Sequence, residues 1–294
     1  MRAIMPQKAA ACKYGGDYAK VIPIMGEINM RCLALWMAVM MWAAGVARSE
    51  TVLERVLKSY DAVQSLSCEI RRDTPMSDGQ TLRMLSRVYF QRPDRLHVEN
   101  FSPVKRRIVS DGTVFRSYTE GAPQGFSRPV AELDAEMLRN LRMVPGSAAN
   151  VLQMLVGAPE VKLEPTAEFP IRVGYDNGKS FAVISLDENG RLARFEIYSS
   201  SAMTDLSSRM DFSAFQEVVP GTWIACLQQS KISLQGMERT ETTRVDNLAA
   251  NGEIPAALFE AETFFPGVEF VDSFEKFEKI DEIEKDKVNE PLAK

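Results

Sequence analysis

Phe90-Gln91-Arg92-Pro93-Asp94-Arg95-Leu96-His97-Val98, followed by Ile108-Val109-Ser110-Asp111-Gly112, decides the reading of this 294-residue chain. Arg92-Pro93 closes one extended run and opens another, because proline fixes its own φ and pushes its predecessor out of helical geometry. Asp111-Gly112 is a hairpin signal between two further extended runs. The whole predicts strand, corner, strand, strand, turn, strand, a meander of antiparallel β-structure.

The same period of two continues outward. Leu82, Met84, Val88 and Phe90 alternate with Arg83, Leu85, Arg87 and Tyr89, and Leu96 and Val98 with Arg95, His97 and Glu99. One apolar and one polar face is what a curved antiparallel sheet requires. Upstream, Cys68 and Ile70 alternate with Glu69 and Arg71, while Val52, Leu53, Val56, Leu57, Tyr60 and Val63 recur at helical spacing. Helical intervals are expected from Val130 to Met143 and from Ala148 to Val156, broken by Pro145-Gly146. Phe181 to Leu186 then runs into Asp187-Glu188-Asn189-Gly190 and out through Leu192 to Tyr198, a hairpin. Further strands are predicted near Ser208–Val218, Thr222–Leu234 and Arg239–Val245. Hairpins with helices inserted mid-chain predict an α+β fold, an antiparallel β half-barrel with helices packed at its mouth.

The chain begins with a different composition. Arg31 precedes the uncharged run Cys32 to Ala47, and Gly45-Val46-Ala47 and Ala47-Arg48-Ser49 both suit signal peptidase. The apolar run is shorter than the roughly 18–20 residues of a membrane span, which favours a cleaved signal over an uncleaved anchor. Export is expected, with residues 1–49 as leader and signal peptide and Met30 as an alternative start. The expected domains are then 50–272 as the folded unit, about 220 residues and ample for one core, and 273–294 as a charged, solvated tail.

The formal net charge of −5 becomes −9 without residues 1–49, which hold six Lys/Arg and two Asp/Glu. An acidic chain lacking a basic cluster is a poor nucleic-acid binder. Of the four cysteines, Cys68 and Cys226 remain after cleavage; each sits in a predicted strand, either paired in an oxidising compartment or a small buried hydrophobe. The case for an enzyme is thin. The one histidine, His97, lies on the polar phase of its strand and is expected at the surface. No His/Cys/carboxylate spacing suits zinc, and no Gly-rich loop joins a strand to a helix in the manner of a phosphate site. No cofactor is expected.

The chain resembles the LolA-like family of periplasmic carriers of outer-membrane lipoproteins. Arg92-Pro93 falls on the family's Arg-Pro corner, Ser110-Asp111-Gly112 with Tyr118 on its Ser-Asp-Gly…Tyr strand pair, and Phe264 to Asp272 on its closing strand. The resemblance implies a lid-latch role for Arg92, which bonds the lid helices in the family, and a part for Leu96 in passing cargo onward. It implies an unclosed antiparallel β half-barrel in the periplasm, with helices as a lid over an apolar ligand cavity lined by Leu82, Met84, Val88, Phe90, Leu96, Val98 and Phe115, each of which reads equally as ordinary core. It further implies acylated lipoprotein or lipid as ligand, an inner-membrane donor transporter, an outer-membrane acceptor, and a monomer. There is one departure: the family carries tryptophan where this chain has Arg116. A charge facing an apolar cavity is expensive unless paired, so Arg116 either faces outward or marks a different cargo headgroup. A periplasmic sensor of lipid built on the same fold is the alternative to the carrier.

Overall fold

Alternating side chains give a sheet two unlike faces, and each apolar face needs a cover. The computed structural model describes residues 50–76, 78–234 and 237–272. The expected leader and signal (1–49) and the charged tail (273–294) lie outside these residues. Fourteen strands form one sheet. Six come from the first meander: β1 (Ser65–Pro75), β2 (Thr81–Gln91), β3 (Arg95–Ser102), β4 (Arg106–Asp111), β5 (Val114–Thr119) and β6 (Gly125–Pro129). Seven come from the second: β7 (Glu160–Lys162), β8 (Ile171–Asp176), β9 (Phe181–Leu186), β10 (Leu192–Tyr198), β11 (Leu206–Val219), β12 (Thr222–Leu234) and β13 (Met237–Ala250). The two meanders join where β13 pairs with β1. A two-residue β14 (Phe270–Val271) is added parallel to β6, so the order runs β14-β6-β5-β4-β3-β2-β1-β13 and on to β7 without closure.

Register fixes which residues share a face. Cys68, Val88, Val98 and Ile108 stand opposite one another across β1 to β4 on the inner face. Tyr89, His97, Val109 and Arg116 form the corresponding row on the outer face. The inner face is covered by helical pieces. Helix α1 (Val52–Ser59) opens with a capping box, in which Thr51 Oγ1 accepts from the Glu54 N–H and Glu54 accepts from the Thr51 N–H. Its next free donors are also met: Val52 N–H donates to Glu160 at 2.8 Å and Leu53 N–H to the Tyr175 hydroxyl at 3.1 Å. Helices α2 (Ala135–Arg142) and α3 (Ala149–Leu152) flank Pro145-Gly146, where the sequence predicts the break. Together they bury two apolar clusters, Val52, Leu53, Leu152 and Leu155 against Val173, Ile184 and Phe195, and Tyr60, Val144 and Ala149 against Leu66, Phe90 and Ile224.

The outer face of β3 to β5 has its own cover, which alternation along the strands does not reveal. A 3₁₀ turn at Ala256–Phe259 and helix α4 (Ala261–Phe264) lie across it, with the Phe270 side chain of the edge strand β14 packed alongside, burying Val109, Ala261 and Phe265. The expected closing strand is therefore mostly not a strand; only Phe270–Val271 pair. Gly125 makes that pairing possible, since a Cβ there would stand 2.5 Å from the Phe270 ring. Beneath this cover His97 is buried, at 2% exposure, rather than at the surface as its strand phase predicts, with its ring 4.6 Å from that of Phe264. Arg116 also lies here, ion-paired to Glu262 at 2.7 Å and over the Phe270 ring. Of the two readings of Arg116, the outward one holds. Strands β6, β7 and β8 are additions to the sequence reading. Among the described residues no helix is long and apolar enough to cross a membrane.

Burial and then the nearby Arg107 hold His97 below its ordinary pKa. The unfolded chain titrates near 6.5 and binds the proton first, so the contribution of His97 to stability is full above that pH. It is lost as pH falls through the lower folded-state value. Urea midpoints between pH 7.5 and 5 should therefore fall more steeply for the wild type than for His97→Phe, by at most about 1.4 kcal/mol per pH unit. Equal slopes would show that His97 protonates freely in the folded protein.

Candidate functional site

The charged corner selected from the sequence ties the covers to the sheet. Arg92 Nε donates to the Val63 carbonyl at 2.9 Å and its Nη2 to the Tyr60 carbonyl at 3.2 Å, gripping the turn that follows α1. Asp94 turns the other way. Its carboxylate accepts two bonds from Arg142 at the end of α2, Nε to Oδ1 at 2.6 Å and Nη2 to Oδ2 at 3.2 Å. Arg95 Nε donates to the Asp111 carbonyl, and its guanidinium lies 5.9 Å from the ring of Phe259 in the C-terminal cover. Ser110 Oγ donates to the Asp94 carbonyl at 2.7 Å in a buried site, so the Arg-Pro and Ser-Asp-Gly motifs meet in space.

Between the inner face and the α2–α3 connection lies a cavity of about 440 Å³, within the usual 300–1,000 Å³ of small-molecule sites. Ile70, Met84, Val88, Leu96 and Val98 line its sheet side, with Arg72 and Ser86; Met143 to Ser147, Asn140 and Asn150 form the opposite wall. That wall makes no strand pairing. It is held by Arg142 on Asp94, by Gln228 Nε2 donating to the Gly146 carbonyl at 2.9 Å, and by the burial of Val144 and Ala149. Gly146 adopts φ +74° close to Val245, where an added Cβ would come within 3.3 Å of that side chain.

Toward the β1–β2 hairpin turn and the start of β13 a second cavity of about 280 Å³ shares Arg72 and Met84 with the first. Leu82 lines this outer one, with Asn100, Arg106, Arg239 and Glu241. The structure thus brings Leu82, Met84, Val88, Leu96 and Val98 around one trough. Phe90 is fully buried beneath it, and Phe115 packs with Val130, Leu133, Leu141 and Leu96 rather than lining it. Asp94 and Arg142 escaped the sequence reading because they lie 48 positions apart with no local pattern to link them.

Cys68 and Cys226 are both free thiols on the inner face. Burial, with Cys226 and Glu69 adding to it, pushes Cys68 up to about 12; burial and then Asp246 raise Cys226. Neither has the lowered pKa of a reactive thiolate. Among the described residues, no group of three or more His, Cys, Asp or Glu side chains is placed to hold a metal ion.

Neither a family model nor a curated protein matches the chain. Solved structures do. A LolA superfamily protein from Nitrosomonas europaea is 12% identical, covering 72% of this chain and 99% of its own, with a TM-score of 0.45. A domain provisionally assigned to outer membrane lipoprotein sorting, from Vibrio parahaemolyticus, is 10% identical over 72% and 98%, with a TM-score of 0.45. A DUF1329 family protein from Desulfovibrio piger is 13% identical over 72% and 95%, with a TM-score of 0.46. The described residues of this chain form an unclosed, antiparallel-rich sheet carrying few helices.

The Asp94–Arg142 pair can be tested directly. Truncating either partner strips charge-assisted bonds from a largely buried carboxylate, so Arg142→Ala and Asp94→Ala should each cost about 1–3 kcal/mol. Together they should cost about 1–2 kcal/mol less than their sum. Asp61→Ala, which removes an exposed carboxylate 3.7 Å from Arg92, should change stability by no more than about 0.5 kcal/mol. Urea unfolding of the four variants and the wild type decides it; strict additivity at positions 94 and 142 would rule out the coupling.

Proposed function

We propose that this protein is an exported carrier that takes acyl chains into the trough between its inner sheet face and the α2–α3 segment, and performs no chemistry on them. The observation that carries the reading is the 440 Å³ cavity itself, with Ile70, Met84, Val88, Leu96 and Val98 on one side and a wall held by side-chain bonds on the other. An acyl chain exposed to water costs about 0.8 kcal/mol per CH₂, so a lipidated molecule needs a shield to cross an aqueous compartment. A wall held by one bidentate ion pair, one amide bond and the burial of Val144 and Ala149 can serve as a lid, opening without disrupting any strand ladder.

In this reading Asp94–Arg142 latches the α2 side and Arg92 the α1 side. The cargo is an acylated lipoprotein or a lipid, received in the periplasm from an inner-membrane donor and passed to an outer-membrane acceptor. The resemblance of the Arg92-Pro93 and Ser110-Asp111-Gly112 motifs to those of the lipoprotein carriers supports the direction of transfer. The same motifs supply the hydrogen bonds that fix the corner.

The purified protein should be mixed, in detergent-free buffer, with a lipoprotein prepared with and without its acyl chains, and run by size exclusion. The acylated form alone should co-elute. Val98→Trp, which fills the trough, should weaken that complex at least tenfold while the thermal midpoint moves by only a few degrees. Binding of both forms, or of neither, would overturn carriage of that cargo.

A further inference from the structure

The inner face changes character along its strands. On β2 the row Phe90, Val88, Ser86, Met84, Leu82 runs from the fully buried core to the outer cavity. At about 3.3 Å per residue, Val88 and Met84 lie some 13 Å apart along it. Beside Met84 and Leu82 stand Arg72, Arg106 and Arg239, with Glu241 the single carboxylate in the lining of the outer cavity. Glu241 is engaged by Arg72 at 3.2 Å and accepts from the Thr74 hydroxyl at 3.3 Å. Arg106 bonds the neutral Ser117 hydroxyl at 3.1 Å, and neither it nor Arg239 forms an ion pair among the described residues. Two uncompensated cations therefore converge on the mouth of a trough in a chain whose formal net charge is −5. A cationic mouth against an acidic background attracts an anion selectively.

Resting on the carrier reading, we propose that the ligand is an amphiphile with an anionic headgroup: acyl chain against Val88, Leu96 and Val98, phosphate-type headgroup at Arg106 and Arg239. Guanidinium groups suit this role because their planar donor fork matches phosphate oxygens. Arg72, already neutralised by Glu241, separates tail from headgroup. The carrier reading allows a lipoprotein or a lipid; this assignment selects an anionic lipid, since a neutral diacylglyceryl group would leave both cations without a partner.

The neutral dye N-phenyl-1-naphthylamine, bound to the purified protein, can be displaced by two amphiphiles of equal chain length, dodecyl phosphate and glycerol monododecanoate. Dodecyl phosphate should displace it at a concentration at least tenfold lower. In Arg106→Gln/Arg239→Gln the preference should shrink to about twofold, with glycerol monododecanoate unchanged, which also shows that the variant is folded. Arg106→Lys/Arg239→Lys should retain most of it. Inorganic phosphate at millimolar concentration should leave the preference intact. Equal displacement by the two amphiphiles, or a preference that survives in the double glutamine variant, would overturn the headgroup assignment while leaving the carrier standing. Loss of the preference to inorganic phosphate would instead make the arginines a site for the free anion. Displacement by neither amphiphile would overturn the carrier reading, and the headgroup assignment with it.

Discussion

Three coverings meet the sheet at one corner, and four consecutive residues hold them there. Arg92 takes the turn after α1, Asp94 the end of α2, and Arg95 lies by the ring of Phe259 in the C-terminal cover, while Pro93 sets the bend between β2 and β3. An unclosed sheet cannot bury its inner face on itself as a closed barrel does. What covers that face must be attached through side chains, and attachment at a strand-to-strand corner leaves the ladders on either side intact. The buried Ser110 hydroxyl on the Asp94 carbonyl stiffens the corner from the neighbouring hairpin.

Much of this was legible in the sequence because period-two alternation is local. Strands β1 to β5, the Asp187–Gly190 hairpin and the break at Pro145-Gly146 all announce themselves within a few residues. The second face of the sheet did not. His97 and Arg116 occupy polar phases, and nothing in β3 or β5 says that α4 and Phe270, about 150 positions on, will lie over them. Burial of an outer face depends on distant sequence. Separation along the chain likewise hid Arg142, 48 positions from Asp94, and kept Arg239 apart from Arg106. Candidate residues could be assigned to a face, but not to a depth: Phe90 shares a phase with Val88 yet lies in the sealed core, whereas Val88 reaches the cavity.

Depth is also what gives the trough its directionality. Apolar side chains crowd the end near the corner, where the coverings are anchored, and the arginines gather toward the β1–β2 hairpin turn and the starts of β4 and β13. A ligand with one apolar and one charged end has a single favourable orientation in such a gradient. On the carrier reading proposed above, the headgroup end would stay near water while the wall covers the chain, and release would need movement of the α2–α3 segment.

The most direct test of the trough as an acyl-chain site is to observe the chain inside it. Isotope-filtered NOE spectra of the labelled protein with unlabelled dodecyl phosphate or glycerol monododecanoate should show chain protons in contact with the Val88, Leu96 and Val98 methyl groups. Contacts confined to the outer face near Val109, or no intermolecular contacts at saturating ligand, would contradict it.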